Sequence, residues 1–278
     1  MNTVKTVLLL GLLSGLLLFL GEVFGGRNGL YIGLALAVAM NFFSYFFSDK
    51  LALATYGAQP VTPEQNSAVY ARVAPIVGGL AQRMGIPMPK LWLIMENSPN
   101  AFATGRNPQH ASVAFTAGIL NAMSDDEIEG VVAHELGHVL HRDILISSVA
   151  ATIATAITFL ARMGFWFGPR DDEEEGSGWG GILMLILAPI AAMLIQMAIS
   201  RSREYDADAA SAKYTASPYK LISALQKLDA YSRRLPMDAT PSTAHLFIIQ
   251  PFTGESLMRL FSTHPSTADR IRRLQAMM

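Results

Sequence analysis

The chain contains no cysteine in its 278 residues. That excludes disulfides, a thiolate nucleophile and every cysteine-based metal site, so any metal must be held by His, Asp or Glu. The redox compartment is left open. Charge is the second scarcity: 15% of residues are charged and 51% are apolar, against roughly 25% charged in an average soluble domain. With a mean hydropathy of +0.32, this composition rules out a disordered chain and argues against a purely water-soluble one. A net charge of −1 and the lack of a long basic stripe remove the electrostatic footprint of a nucleic-acid binder.

The charge deficit is local. The first 48 residues hold only Lys5, Glu22 and Arg27, and residues 176–200 hold no charge at all. A membrane-crossing helix needs about 20 mostly apolar residues to span roughly 30 Å of hydrocarbon. Four stretches meet that requirement: Val4 to Phe24, Gly29 to Ser48, Ile144 to Phe167 and Gly180 to Ser200. The last two read as a hairpin joined by a solvated loop, residues 168–179, that carries Asp171, Asp172, Glu173, Glu174 and Glu175. The first stretch could also be read as a cleaved signal peptide, but the following GEVFGG lacks an A-x-A site.

Lys5, Lys50, Arg142, Arg201 and Arg203 fall on one side of a four-span arrangement, whereas Arg27, Arg170 and the acidic loop fall on the other. Basic residues favour the cytoplasmic side. The expected organisation is therefore two transmembrane helices in 1–48, a cytoplasmic part in 49–143, a transmembrane hairpin in 144–200 and a second cytoplasmic part in 201–278. Both termini would face the cytoplasm, and the lipid bilayer is a necessary partner.

In the first soluble part, Thr62 to Met84 reads as a helix with Pro63 at its start and Gly85 closing it. Lys90 to Met95, Ala101 to Thr104 and Ser112 to Thr116 are short β-type runs, predicting a small sheet. Ser124-Asp125-Asp126-Glu127 is a capping box that opens the next helix, with acids at its positive end. The predicted fold class is a mainly α membrane protein: four transmembrane helices plus a cytoplasmic, zincin-like α+β domain with a small sheet.

That capped helix reads EIEGVVAHELGHVLHRD, so His134-Glu135-Leu136-Gly137-His138 fits H-E-x-x-H. At 3.6 residues per turn, positions i and i+4 share one face about 6 Å apart. Two imidazoles at that spacing can hold one Zn²⁺ while Glu135 reaches its water as the catalytic base. A catalytic zinc needs a third protein ligand. A metzincin extension would need Gly at 141 and His at 144, where this chain has His141 and Ile144. His141 lies about 10 Å along the helix from His134, too far to complete the same site, and reads as a supporting or membrane-interface residue. His141-Arg142-Asp143 mimics a kinase H-R-D without the accompanying kinase motifs.

The better donor follows the fourth apolar stretch, where Glu204 and Asp208 stand at i and i+4 on a predicted helix. Both carboxylates face one way, so one could bind zinc while the other orients a ligand histidine. The predicted hairpin is what returns this segment to the histidines.

Together, HELGH before a hairpin, EYDADAAS after it, NAFATG at Asn100 to Gly105 and THPSTADRI at Thr263 to Ile271 resemble the HtpX family of integral-membrane zinc metalloproteases, relatives of the CAAX prenyl proteases. The similarity covers nearly the whole chain. It implies one zinc per chain on His134, His138 and Glu204, with Glu135 as base. It further implies Asp208 and Arg270 as supporting partners and Asn100, Ala101, Phe102 and Ala103 beside the substrate. His264 would be a catalytic hydrogen-bond donor to the developing oxyanion. Read from the residues alone, Asn100 is equally a turn former, His264 equally a loop residue, and Arg270 a partner for Glu204 or Asp208. His110 and His245 have no motif around them.

The implied activity is hydrolysis of peptide bonds in misfolded or damaged membrane proteins, in the inner membrane of a bacterial-type cell. An extended substrate would add to the sheet edge at Ala101 to Thr104. The rival readings are a CAAX-type prenyl-peptide protease and a non-catalytic zinc-binding scaffold, the latter having no use for Glu135.

Overall fold

The computed structural model describes residues 2–146, 149, 201–232 and 265–278. Most of the third and all of the fourth predicted spans, the acidic loop, His245 and His264 lie outside these residues.

The chain opens with α1 (Asn2–Thr55), a helical stretch broken at Gly26, whose φ of 52° and ψ of −140° are accessible to glycine but not to a residue with a side chain. The two halves fold back on each other as an antiparallel pair. A Cβ at Gly21 would lie 2.3 Å from the Gly29 carbonyl oxygen, and one at Gly33 would lie 2.5 Å from that of Leu17. Such contact between backbones is what small residues permit in lipid. Further from the bend, the Asn41 amide donates to Ser14 Oγ at 2.8 Å and to the Leu10 carbonyl at 3.4 Å. Among the described residues, one helix, Gly26–Phe47, is long and apolar enough to cross a bilayer, and the first half carries a shorter apolar stretch, Leu10–Phe19.

After α1 come β1 (Gln59–Pro60), α2 (Ser67–Met84), β2 (Lys90–Ile94), β3 (Ala101–Gly105), β4 (Ala111–Thr116), α3 (Ala117–Ala122) and α4 (Asp125–Leu140). The described C-terminal residues form α5 (Arg201–Thr215), α6 (Pro218–Ser232) and α7 (Thr267–Gln275). The expected helix beginning at Thr62 starts five residues later, at Ser67. Thr62 to Gln65 close a turn around Pro63, and Asn66 sits in the left-handed region at φ 58°, so Pro63 serves the turn. Gly85 ends the helix at φ 68°, its N–H returning to the last carbonyls.

The four strands run in the order β1-β2-β4-β3, with β2 and β4 parallel and the outer pairs antiparallel. Both faces of the sheet are covered, which is why its strands read as unbroken apolar runs. Leu91, Leu93, Val113 and Phe115 pack into a core with Val77 and Leu80 of α2 and Val132 and Leu136 of α4. On the opposite face Ile94, Phe102 and Ala114 meet Leu53 at the end of α1, where the Tyr56 and Phe102 rings lie 5.8 Å apart. The first helical unit is thereby joined to the sheet.

α4 is held at its start and along two faces. The capping box forms: Ser124 Oγ accepts from the Glu127 N–H, and the Glu127 carboxylate from the Ser124 N–H. Arg72 of α2 donates to Asp125 Oδ1 at 2.7 Å and to the Leu120 and Met123 carbonyls at 2.5 and 2.8 Å. Gly137 lets α5 approach, since a Cβ there would lie 3.1 Å from Ala207 Cα, and Gly130 lets α6 approach, with Leu221 N at 2.6 Å. Ser211 Oγ then donates to the Gly130 carbonyl at 2.7 Å.

Candidate metal centre

The HELGH stretch occupies the second half of α4, with His134 and Glu135 buried and His138 half-buried. Glu204 and Asp208 lie one turn apart on α5, both buried. The Gly137–Ala207 contact brings the two helices together at this level. His134 Nε2 lies 3.7 Å from Glu204 Oε2, and His138 Nε2 lies 3.6 Å from Glu204 Oε1. Among the described residues these three side chains form the group that could hold a metal ion, with one ligand atom from each, all within 4.8 Å of one another. Tetrahedral zinc with bonds of about 2.0–2.1 Å sets its ligand atoms about 3.3 Å apart, so the three atoms, spread over up to 4.8 Å, would draw together around a bound ion.

The opposite nitrogen of each ring is held by a carboxylate. His134 Nδ1 is 2.9 Å from Asp208 Oδ1, and His138 Nδ1 is 3.3 Å from Asp143 Oδ2. A ring whose Nδ1–H donates to a carboxylate presents the lone pair of Nε2, and both Nε2 atoms face Glu204. Arg270 of α7, almost wholly buried, grips Asp208 in a two-pronged bond, Nη2 to Oδ1 at 2.6 Å and Nε to Oδ2 at 2.9 Å. Its Nη1 stands 3.9 Å from Glu204 Oε2.

Glu135 points to the sheet, where its Oε2 accepts from the Ala103 N–H at 2.9 Å. β3 is an edge strand, and Ala103 turns this N–H away from β4. Asn100, at its head, is fixed through its backbone, the N–H donating to Thr116 Oγ1 and the carbonyl accepting from the Thr116 N–H, each at 2.9 Å. Ala101, Phe102 and Ala103 follow, buried within β3. His141 is exposed on the turn after α4, and His110 is engaged with Asn107 at 2.8 Å at the surface.

Electrostatics distinguish these groups. Burial opposes charge on Asp208, but Arg270 and His134 outweigh it and hold the carboxyl down at about 2. Burial likewise opposes protonation of His138, yet Asp143, Glu204 and Glu135 raise it to about 9. Four buried carboxylates (Glu135, Asp143, Glu204 and Asp208) face two buried guanidiniums (Arg203 and Arg270). Counted with both histidines neutral, as ligation of a metal requires, these groups sum to a formal charge of −2, which a divalent cation would balance.

Asp143 and Arg203 are the residues that sequence reading missed at this site. The turn that carries Asp143 back to His138 depends on Arg142 adopting φ 60°, a left-handed conformation that an arginine does not announce. Arg203 reads in sequence as part of a solvated charged stretch, but it is buried.

Comparison with known proteins places the chain in a family. The model of peptidase family M48 matches residues 67–278. The Protease HtpX homolog of Desulfatibacillum aliphaticivorans is 51% identical over 279 residues, covering 98% of this chain and 89% of its own. That of Persephonella marina is 51% identical over 286 residues, covering 100% and 98%. Protease HtpX of Legionella pneumophila is 50% identical over 283 residues, covering 99% of each. In fold, the chain is similar to the crystal structure of S. mikatae Ste24p, with a TM-score of 0.52 at 19% identity, over 98% of this chain and 65% of that one. The chain belongs to peptidase family M48, among the HtpX proteases, and is a metalloprotease.

Proposed function

We propose that the chain is a zinc-dependent endopeptidase of a bacterial-type inner membrane, with its active site on the cytoplasmic side, and that it cleaves misfolded or damaged membrane proteins. The observation that carries the reading is the convergence of His134 Nε2, His138 Nε2 and the Glu204 carboxylate, each ring backed by an aspartate. Two imidazoles, one carboxylate and no thiolate form a ligand set suited to catalytic zinc. When bound there, zinc would acidify water and polarise the scissile carbonyl.

The chain's own residues supply the rest. Glu135 takes the proton of the attacking water and delivers it to the leaving amine. The Ala103 N–H holds that carboxylate beside the edge strand, where an extended substrate would align along Asn100 to Ala103 by main-chain hydrogen bonds. Recognition through main chain selects for extended backbone more than for side chains, which suits a protease acting on unfolded segments. His264 is assigned to the developing oxyanion. Asp208 and Arg270 keep His134 in the ligating orientation.

The membrane placement rests on the apolar helix Gly26–Phe47 and on the family, with 144–200 supplying the second pair of the four proposed spans. Replacing Glu135 by Gln should leave one zinc per chain and abolish cleavage of casein. Retained turnover in the metal-loaded variant would refute the assignment of the base.

A further inference from the structure

Resting on that reading of the ligands, we propose that Asp143 and Arg203 form a second positioning arm, which fixes His138 as Asp208 and Arg270 fix His134. Asp143 is 3% exposed, and its place follows from the end of α4. The His141 N–H returns to the Gly137 carbonyl at 3.0 Å, Arg142 turns left-handed, and the Asp143 N–H closes on the His138 carbonyl at 2.8 Å. The ligand residue and its carboxylate are thus tied through both backbone and side chain, with Asp143 Oδ2 accepting from His138 Nδ1 at 3.3 Å.

Arg203 reaches the other oxygen of Asp143, Nη1 to Oδ1 at 3.9 Å, from the residue adjacent to Glu204. It is 8% exposed, and neither Nη has a hydrogen-bond partner among the described residues. A guanidinium is costly to bury unless its charge is compensated, and Asp143 and Glu204 provide that compensation. The second arm runs in the same order as the first: histidine, aspartate, arginine. Its aspartate comes from α4's own turn and its arginine from α5, whereas in the first the aspartate comes from α5 and the arginine from α7. The two arms thus share α5 but hold different rings, one with the turn after α4 and the other with α7. The first arm cannot fix His138, because Asp208 and Arg270 both lie against the other ring.

Asp143 and Arg203 stand outside the ligand group, so they act through His138. Carboxylates that orient metal-bound histidines alter metal affinity by about 10–100-fold when replaced. The test is zinc affinity of the full-length protein in detergent, by competition with a chromophoric chelator, for wild type, Asp143→Asn, Arg203→Gln, Arg203→Lys and Glu204→Ala. Thermal unfolding of the zinc-free forms and the visible spectrum of the cobalt-loaded forms accompany it. Asp143→Asn and Arg203→Gln should each weaken zinc binding by about 10–100-fold, shift the cobalt bands and leave zinc-free unfolding near that of wild type, with Arg203→Lys recovering part of the loss. If one variant does not fold, the other decides. Wild-type affinity in a folded variant overturns the inference, as does an affinity loss matched by equal loss of zinc-free stability. Wild-type zinc binding by Glu204→Ala would instead refute the ligand assignment on which the inference rests.

Discussion

Arg270 and Asp208 are worth more as a pair than either is alone. Removing the guanidinium leaves a buried carboxylate without its counter-charge, a change that costs roughly 3–5 kcal/mol. Arg270→Met should therefore lower the stability of the zinc-free protein by about that amount at neutral pH, as measured by denaturant unfolding. The sign with pH follows from the depressed Asp208 group. Its stabilisation in wild type is fully present above about pH 4 and is lost as pH falls towards about 2. In Arg270→Met, burial acts unopposed by Arg270 and favours the neutral acid. The gap between variant and wild type should then narrow as pH falls through this window. At this scale much of the site was legible in the sequence: HELGH lies on one helix, and Glu204 and Asp208 share a face by spacing alone. Asp143 was not, because its link to His138 requires the left-handed turn at Arg142, and Arg203 was not, because local charge does not reveal burial.

Among the elements, α4 is decisive, because it carries three of the proposed site residues and touches the sheet, α2, α5 and α6. Its two glycines set how closely α5 and α6 approach. A Cβ at Gly130 would meet backbone, Leu221 N and Lys220 C at 2.6 Å each, which flexible side-chain movement cannot relieve. Gly130→Ala should therefore destabilise the protein by about 1–3 kcal/mol, visible as a lowered unfolding midpoint. The strands β2, β3 and β4 were readable from apolar runs punctuated by Asn, Pro and Gly. β1 was not, since two residues ending in proline carry no periodic signal. The start of α2 was misplaced because Pro63 is as suited to a turn as to a first helical turn; the backbone at Asn66 decided between them.

For the whole molecule, the uneven distribution of charge separates a helical hairpin bent at Gly26 from a compact domain built on a sheet. The pair of apolar segments was visible in the sequence; their contact was not, because it depends on Gly21 facing Gly29, and Gly33 facing Leu17, across the bend. The hairpin puts Lys50 near the level of Lys5 and Arg27 at the far end. Because the chain has no cysteine, single cysteines report topology without background. In intact cells, Lys50→Cys should resist a membrane-impermeant maleimide and Arg27→Cys should react with it; the reverse pattern would invert the proposed orientation.

The central claim is that α4 and α5 jointly hold one catalytic zinc, and metal analysis of purified wild type beside Glu204→Ala tests it most directly. Wild type should carry one zinc per chain, and Glu204→Ala should lose it together with casein cleavage while remaining folded. A folded Glu204→Ala protein that keeps one zinc at wild-type affinity would contradict the account.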